Sequence, residues 1–134
     1  MALMEWQATF ETGIEEFDEH HKYLVYLLNL AHDCVVLDAE PDEVQAVISE
    51  LIKYVDYHFS AEEHWMEMHN YPDLASHKGE HTALTEKVFA FNNDFMNGKV
   101  DLSTDLIQFL MQWVATHILE SDARCGLFAQ QHRL

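Results

Sequence analysis

Apolar residues recur along this 134-residue chain at steps of three and four, the period of helices buried on one face. Leu24, Val25, Leu28, Ala31 and Val35 predict a first helix over about Asp18–Leu37. "DAEPDE" interrupts it, and Pro41 suits the first turn of a second helix, with acidic neighbours favouring its positive end. That helix carries Val44, Val47, Ile48, Leu51, Tyr54 or Val55, and Met66, and runs to about His69, where "NYPD" stops it. Leu74, Leu84, Val88, Phe91 and Phe95 predict a third over about Leu74–Met96, ended by "NGK", where Gly98 is free to turn left-handed. Leu106, Phe109 or Leu110, and Trp113 mark a fourth over about Ser103–Ser121. Four such helices with short connections make an all-α, antiparallel up-down four-helix bundle. The expected organisation is a single domain: an arm over residues 1–17 carrying Trp6 and Phe10, the bundle over 18–122, and a short segment over 123–134 adding about one more helical turn.

The apolar stripes are broken by the same kind of residue on every helix. The first offers His21, the second His58 and Glu62, the third His77 and His81, the fourth His117 and Asp122. His58–Glu62 and His77–His81 are one helical turn apart, so each pair points one way. Burying these groups together without compensation costs several kcal/mol each, and none of the few basic residues falls on these faces. A metal is the economical counter-charge. If each carboxylate bridges two metals and an oxide or hydroxide joins them, two octahedral ions are filled except for one position, on the ion with fewer histidines. That vacancy suits one small ligand, and the nitrogen–oxygen donor set suits iron, with zinc and manganese not excluded by spacing.

Three details stay open at this level. His20 adjoins His21, and periodicity does not separate them. Glu63 adjoins Glu62, although the four-residue step from His58 favours Glu62. His117 and Asp122 are five residues apart, about 140° around an ideal helix, so the fourth helix must bulge or loosen for both to reach one site. His32, His64, His69 and His132 match no ligand position and read as surface residues.

Composition narrows the function classes. The formal charge of −17, from 7 basic and 24 acidic residues, disfavours nucleic acid as a partner. No apolar run is long enough for a membrane span, and the start lacks a basic-then-apolar secretory pattern. Cys34 and Cys125, without a CxxC, read as reduced thiols, so a cytoplasmic location is expected. Among ten histidines and fourteen glutamates there is no Glu-x-x-His, the pair that marks ferritin-like oxidase and iron-storage bundles.

The segments "TGIEEFDEHHKYL", "HFSAEEHWM", "YPDLASHKGEH" and "WVATHILESD" carry D-x-x-H, H-x3-E, H-x3-H and H-x4-D in order. In these motifs, along essentially its whole length, the chain resembles the hemerythrin family, and within it the single-domain bacteriohemerythrins. The D-x-x-H match starting at Asp18 selects His21. The resemblance implies a non-haem di-iron centre with a bridging oxide or hydroxide: His77, His81 and His117 on one iron, His21 and His58 on the other, Glu62 and Asp122 bridging. It implies reversible binding of dioxygen, for transport, storage or delivery, rather than enzymatic turnover, with an oxygen-consuming enzyme as a candidate recipient. Sensing through a separate partner and di-iron oxidase or iron-storage chemistry are the alternative roles. It places an oxygen pocket among Leu24, Phe59, Trp113, Ile118 and Leu119, residues that an ordinary core would also use. One departure is Cys125, where relatives often carry a tyrosine three residues after the bridging aspartate; a lost phenol there bears on the lifetime of the oxygen adduct.

Overall fold

The computed structural model of the protein describes residues 5–98 and 104–134, with side chains of the fourth helix from residue 107 onward. The expected helix start at Ser103, the turn residue Lys99 and the stripe position Leu106 lie outside the described residues or side chains. Among the described residues there are five α-helices, α1 (Glu15–Val36), α2 (Pro41–Met68), α3 (Leu74–Met96), α4 (Thr104–Thr116) and α5 (Ala123–Gln131), with a short 3-10 turn, Ala8–Phe10, in the arm and a π-helical turn, His117–Asp122, between α4 and α5. α1 packs against α2 and α4, and α2 packs against α3, closing an antiparallel four-helix bundle. None of the described helices is long and apolar enough to cross a membrane.

Local chemistry sets the boundaries. Pro41 occupies the first turn of α2, where its missing N–H leaves no intrahelical bond unmade. α2 ends as Asn70 turns left-handed (φ 54°), with Tyr71 N–H donating back to Met66 O at 2.9 Å. Gly98 (φ 71°) does the same after α3. α1 begins at Glu15, three residues before the expected start. The chain reverses at Gly13 (φ 86°), and the Asp18 carboxylate, one turn into the helix, reaches back to accept from Thr12 N (2.7 Å), Thr12 Oγ1 (2.8 Å) and Gly13 N (3.2 Å). These bonds fold the arm onto the helix start.

The core has two parts. The larger part contains Leu24, Leu27, Leu28, Ala31, Leu51, Val55, Phe59, Leu84, Val88, Ile107, Leu110, Met111, Val114 and Ile118. Phe10 from the arm is buried in it, and Trp6 packs edge-on to Phe10 with ring centroids 5.4 Å apart. The smaller part gathers Met66, Tyr71 and Cys125, flanked by Ile14, Trp65, Leu74 and Phe128. Cys34 and Cys125 are both free thiols.

The largest departure from the expected organisation is the C-terminal segment. It is not one extra turn but the nine-residue helix α5, and the arm docks on it. A Cβ built on Gly126 would lie 2.1 Å from the backbone oxygen of Thr12. Helix propensity alone favours Gly126→Ala by about 1 kcal/mol, but forcing backbone apart costs typically 1–3 kcal/mol or more, and here the clash wins. Gly126→Ala should therefore lower the urea midpoint of unfolding; an unchanged or raised midpoint would show that the arm is not held against α5.

Candidate metal centre

The five histidines and two carboxylates singled out by their spacing are brought together between the two parts of the core. His21, His58, His77, His81, His117, Glu62 and Asp122 are each at most 4% exposed. In every imidazole it is Nε2 that faces the carboxylates. Glu62 Oε1 lies against His58 Nε2 and 3.4 Å from His21 Nε2, while Oε2 is 3.0 Å from His77 Nε2 and 3.9 Å from His81 Nε2. Asp122 Oδ2 is 2.9 Å from His21 Nε2; Oδ1 is 2.9 Å from His77 Nε2 and 3.3 Å from His117 Nε2. Each carboxylate thus straddles the space between two ligand groups. Glu62, His77, His81 and His117 form one, and His21, His58, Glu62 and Asp122 form the other, with the ligand atoms of each within 4.8 Å of one another.

The π-helical turn makes the fourth rod fit. Its wider i→i+5 bonding returns to the same face after five residues rather than four. His117 opens the turn and Asp122 closes it, so both side chains point inward, and the rod then resumes as α5.

Outer partners fix the rings. His81 Nδ1 donates to Glu63 Oε2 at 2.9 Å, and His117 Nδ1 donates to Glu80 Oε1 at 3.2 Å. Glu80 also accepts from Ser121 Oγ at 2.7 and 2.8 Å, so one carboxylate of α3 ties down two residues of the π-helical turn. His20 lies with its Nδ1 2.9 Å from His58 Nδ1. Burial, and the neighbouring His58, push His20 below its ordinary value. A neutral His20 accepts the proton of His58 Nδ1 and leaves the His58 Nε2 lone pair facing inward.

A cation fits this arrangement on the structure's own geometry. With both Nδ1 protons donated outward, the His81 and His117 Nε2 lone pairs face each other at 3.1 Å, an opposition that an ion or a shared proton must relieve. The Asp122 oxygens are buried and face only imidazole Nε2 atoms, so they lack a donor unless protons or a cation lie between, and an uncompensated carboxylate there is costly. Charge balance points the same way. Burial opposes protonation of His21 and His77, yet Asp122 and Glu62 override it and push both up to about 9. Burial pushes His81 down to about 3, helped by His117 and His77. Burial alone would raise Glu62, but His58, His21 and His77 hold it well below the carboxylate range. Positive charge gathers between the carboxylates, as protons where no metal is bound.

Aromatic and aliphatic groups close over the centre. Phe59 stacks on His81 at 3.8 Å with the rings 3° from parallel, and Trp113 stacks on His117 at 4.7 Å and 14°. Leu24 (3% exposed) and Ile118 (2%) are buried with Phe59. Leu119 is not part of this wall: it is 45% exposed, because the π-helical turn that brings Asp122 inward directs Leu119 to solvent. Cys125 is buried against Met66 and Tyr71, and burial, then Glu62 and Asp122, push its thiol up to about 12, so it stays protonated.

His20, Glu63 and Glu80 were not separable from surface residues by spacing. Groups that orient a ligating imidazole typically contribute 10–100-fold in metal affinity. Accordingly His20→Leu and Glu80→Gln should each weaken zinc or ferrous binding by about 10–100-fold, measured by competition with a chelator, with helicity unchanged. Affinity within twofold of the parent in both variants would contradict an orienting role.

Comparison with known proteins places this arrangement. The hemerythrin HHE cation binding domain matches residues 12–124. A bacteriohemerythrin of Methylococcus capsulatus is 32% identical over 127 residues, covering 94% of this chain and 96% of that protein. One of Clostridium acetobutylicum is 31% identical over 121 residues, covering 87% and 94%. A crystal structure of a wild-type hemerythrin superposes with a TM-score of 0.90 at 32% identity, covering 93% of this chain and 96% of that one. By domain match, sequence and fold alike, the chain belongs to the hemerythrin family.

Proposed function

We propose that the protein binds dioxygen reversibly at a non-haem di-iron centre, serving oxygen transport, storage or delivery. The observation that carries this reading is the pair of buried ligand groups sharing Glu62, each with inward-facing Nε2 atoms, with Phe59 and Trp113 stacked on His81 and His117. In this reading His77, His81 and His117 would hold one iron, His21 and His58 the other, and Glu62 and Asp122 would be shared between them. The pair, with a bridging oxide or hydroxide, would supply the electrons that dioxygen binding requires. His21 and His58 are one histidine fewer than the other group, so dioxygen would be expected on their side.

The chain's own residues do the rest. Leu24, Phe59, Trp113 and Ile118 exclude the water and protons that would convert reversible binding into release of a reduced product. Glu63, Glu80 and His20 keep the Nδ1 protons of His81, His117 and His58 on the outer side, so these three rings offer their Nε2 lone pairs inward. Turnover of the oxidase or iron-storage type needs more carboxylates at the metal. Here the two nearest further carboxylates, Glu63 and Glu80, are engaged with the outer nitrogens of His81 and His117. This favours binding over oxidation of a substrate. A cytoplasmic store or carrier handing dioxygen to an oxygen-consuming enzyme is the role we infer.

Anaerobic loading with ferrous iron, followed by alternating air and argon, tests the proposal. A visible ligand-to-metal band should rise in air and fall under argon over repeated cycles. A single irreversible change would exclude a carrier. Glu62→Ala removes one bridge and should leave fewer than two irons per chain; a variant retaining both, with the parent's oxygen spectrum, would contradict the bridging role.

A further inference from the structure

Four of the chain's five tyrosines form one patch on the outside of the α1–α2 pair. Tyr54 lies 4.5 Å from Tyr23 and 5.8 Å from Tyr57 between ring centroids, and Tyr23 stacks on Tyr26 at 5.7 Å. His20 joins this patch to the metal centre. Its ring is 5.1 Å from Tyr57 and 5.8 Å from Tyr54, and its Nδ1 shares a hydrogen bond with His58 Nδ1 at 2.9 Å. The outer end meets solvent: Tyr26 is 53% exposed and Tyr57 57%. Core packing does not call for phenols at these half-exposed positions. Tyr23 has a proton acceptor in place, its hydroxyl donating to Glu50 Oε1 at 3.2 Å. An unbroken series of near-contact rings therefore runs from His58 to the surface. Phenols are the most easily oxidised groups along it.

We propose that this series is an electron relay that protects the centre when, with its iron already ferric, it meets hydrogen peroxide. The inference rests on the redox-active iron proposed above. Two tyrosines each give up one electron, through His20 and His58, and one phenolic proton. Together these reduce one hydrogen peroxide to two waters as its O–O bond breaks. Two tyrosyl radicals remain, and the net oxidation state of the centre is unchanged. Each oxidised phenol releases its proton locally, Tyr23 to Glu50 and the exposed Tyr26 or Tyr57 to solvent, and for every proton so released one enters from solvent with the peroxide, so that the two waters form with no net change in protons. The oxidising equivalents end at the surface, within reach of small reductants, instead of on the histidines. The competing sink is Trp113, stacked on His117 on the opposite side of the centre.

Iron-loaded protein oxidised to the ferric state and carrying ring-deuterated tyrosine, mixed with hydrogen peroxide and freeze-quenched, tests the relay by electron paramagnetic resonance. Peptide mass spectrometry then locates stable oxidation products. The expected result is a radical signal narrowed by deuteration, reduced several-fold in Y54F/Y57F and in Y23F/Y26F, with oxidation of Trp113 and the histidines rising several-fold. Tyr71→Phe, the tyrosine outside the patch, should leave the signal unchanged. A signal insensitive to the four substitutions, or Trp113 oxidation equal in parent and variants, overturns the relay. The two proposals fail separately. A chain that holds no redox-active iron defeats both; one that cycles optically with air and argon but shows no tyrosine-dependent radical defeats the relay alone.

Discussion

Five imidazole lone pairs and two carboxylates are held face to face where almost no water reaches. The separations between His Nε2 atoms and carboxylate oxygens fall mostly near 3 Å, and the His81 and His117 nitrogens oppose each other at 3.1 Å. In a purely apolar bundle this cluster would be among the most expensive features of the fold, since each uncompensated buried charge costs several kcal/mol. Positive charge at its centre reverses that balance. The ligands come from α1, α2, α3 and the π-helical turn between α4 and α5, so a cation there also ties the bundle together, and folding and metal binding become linked.

The rest of the architecture serves that convergence. Straight α-helices suffice for the pairs one turn apart, His58 with Glu62 and His77 with His81. The five-residue step from His117 to Asp122 does not fit a straight helix, and the chain answers with a π-helical turn. Such a turn has weaker intrinsic bonding, and Glu80 supports it from α3 by binding both His117 and Ser121. The arm supports it from the other side. Asp18 ties Thr12 and Gly13 to the start of α1, and Thr12 rests against Gly126 at the beginning of α5.

How much of this was legible in the sequence follows from which interactions are local. Helix periods, Pro41, Gly98 and "NYPD" mark the bundle, because each acts on neighbouring residues. The need for a bulge could be read from the His117–Asp122 spacing alone. The start of α1 was placed late because Gly13, a single residue with φ 86°, ends the arm without any break in composition. α5 was underestimated because it is held by tertiary contact, where Gly126 meets Thr12 and Cys125 meets Tyr71. His20, Glu63 and Glu80 escaped for the same reason. Each sits beside a ligand in sequence but orients a ring on another helix. Leu119 was grouped with the oxygen-pocket residues, yet the turn that brings Asp122 inward points it outward.

The central claim is that this cluster is the seat of two metals rather than a set of hydrogen-bonded core histidines. A crystal of the iron-loaded protein, with anomalous maps on either side of the iron absorption edge, addresses it directly. The account predicts two peaks, one among His77, His81 and His117 and one beside His21 and His58, both touched by Glu62 and Asp122. A single peak, or iron held by exposed acidic residues while the Nε2 atoms stay unmetallated, would contradict it.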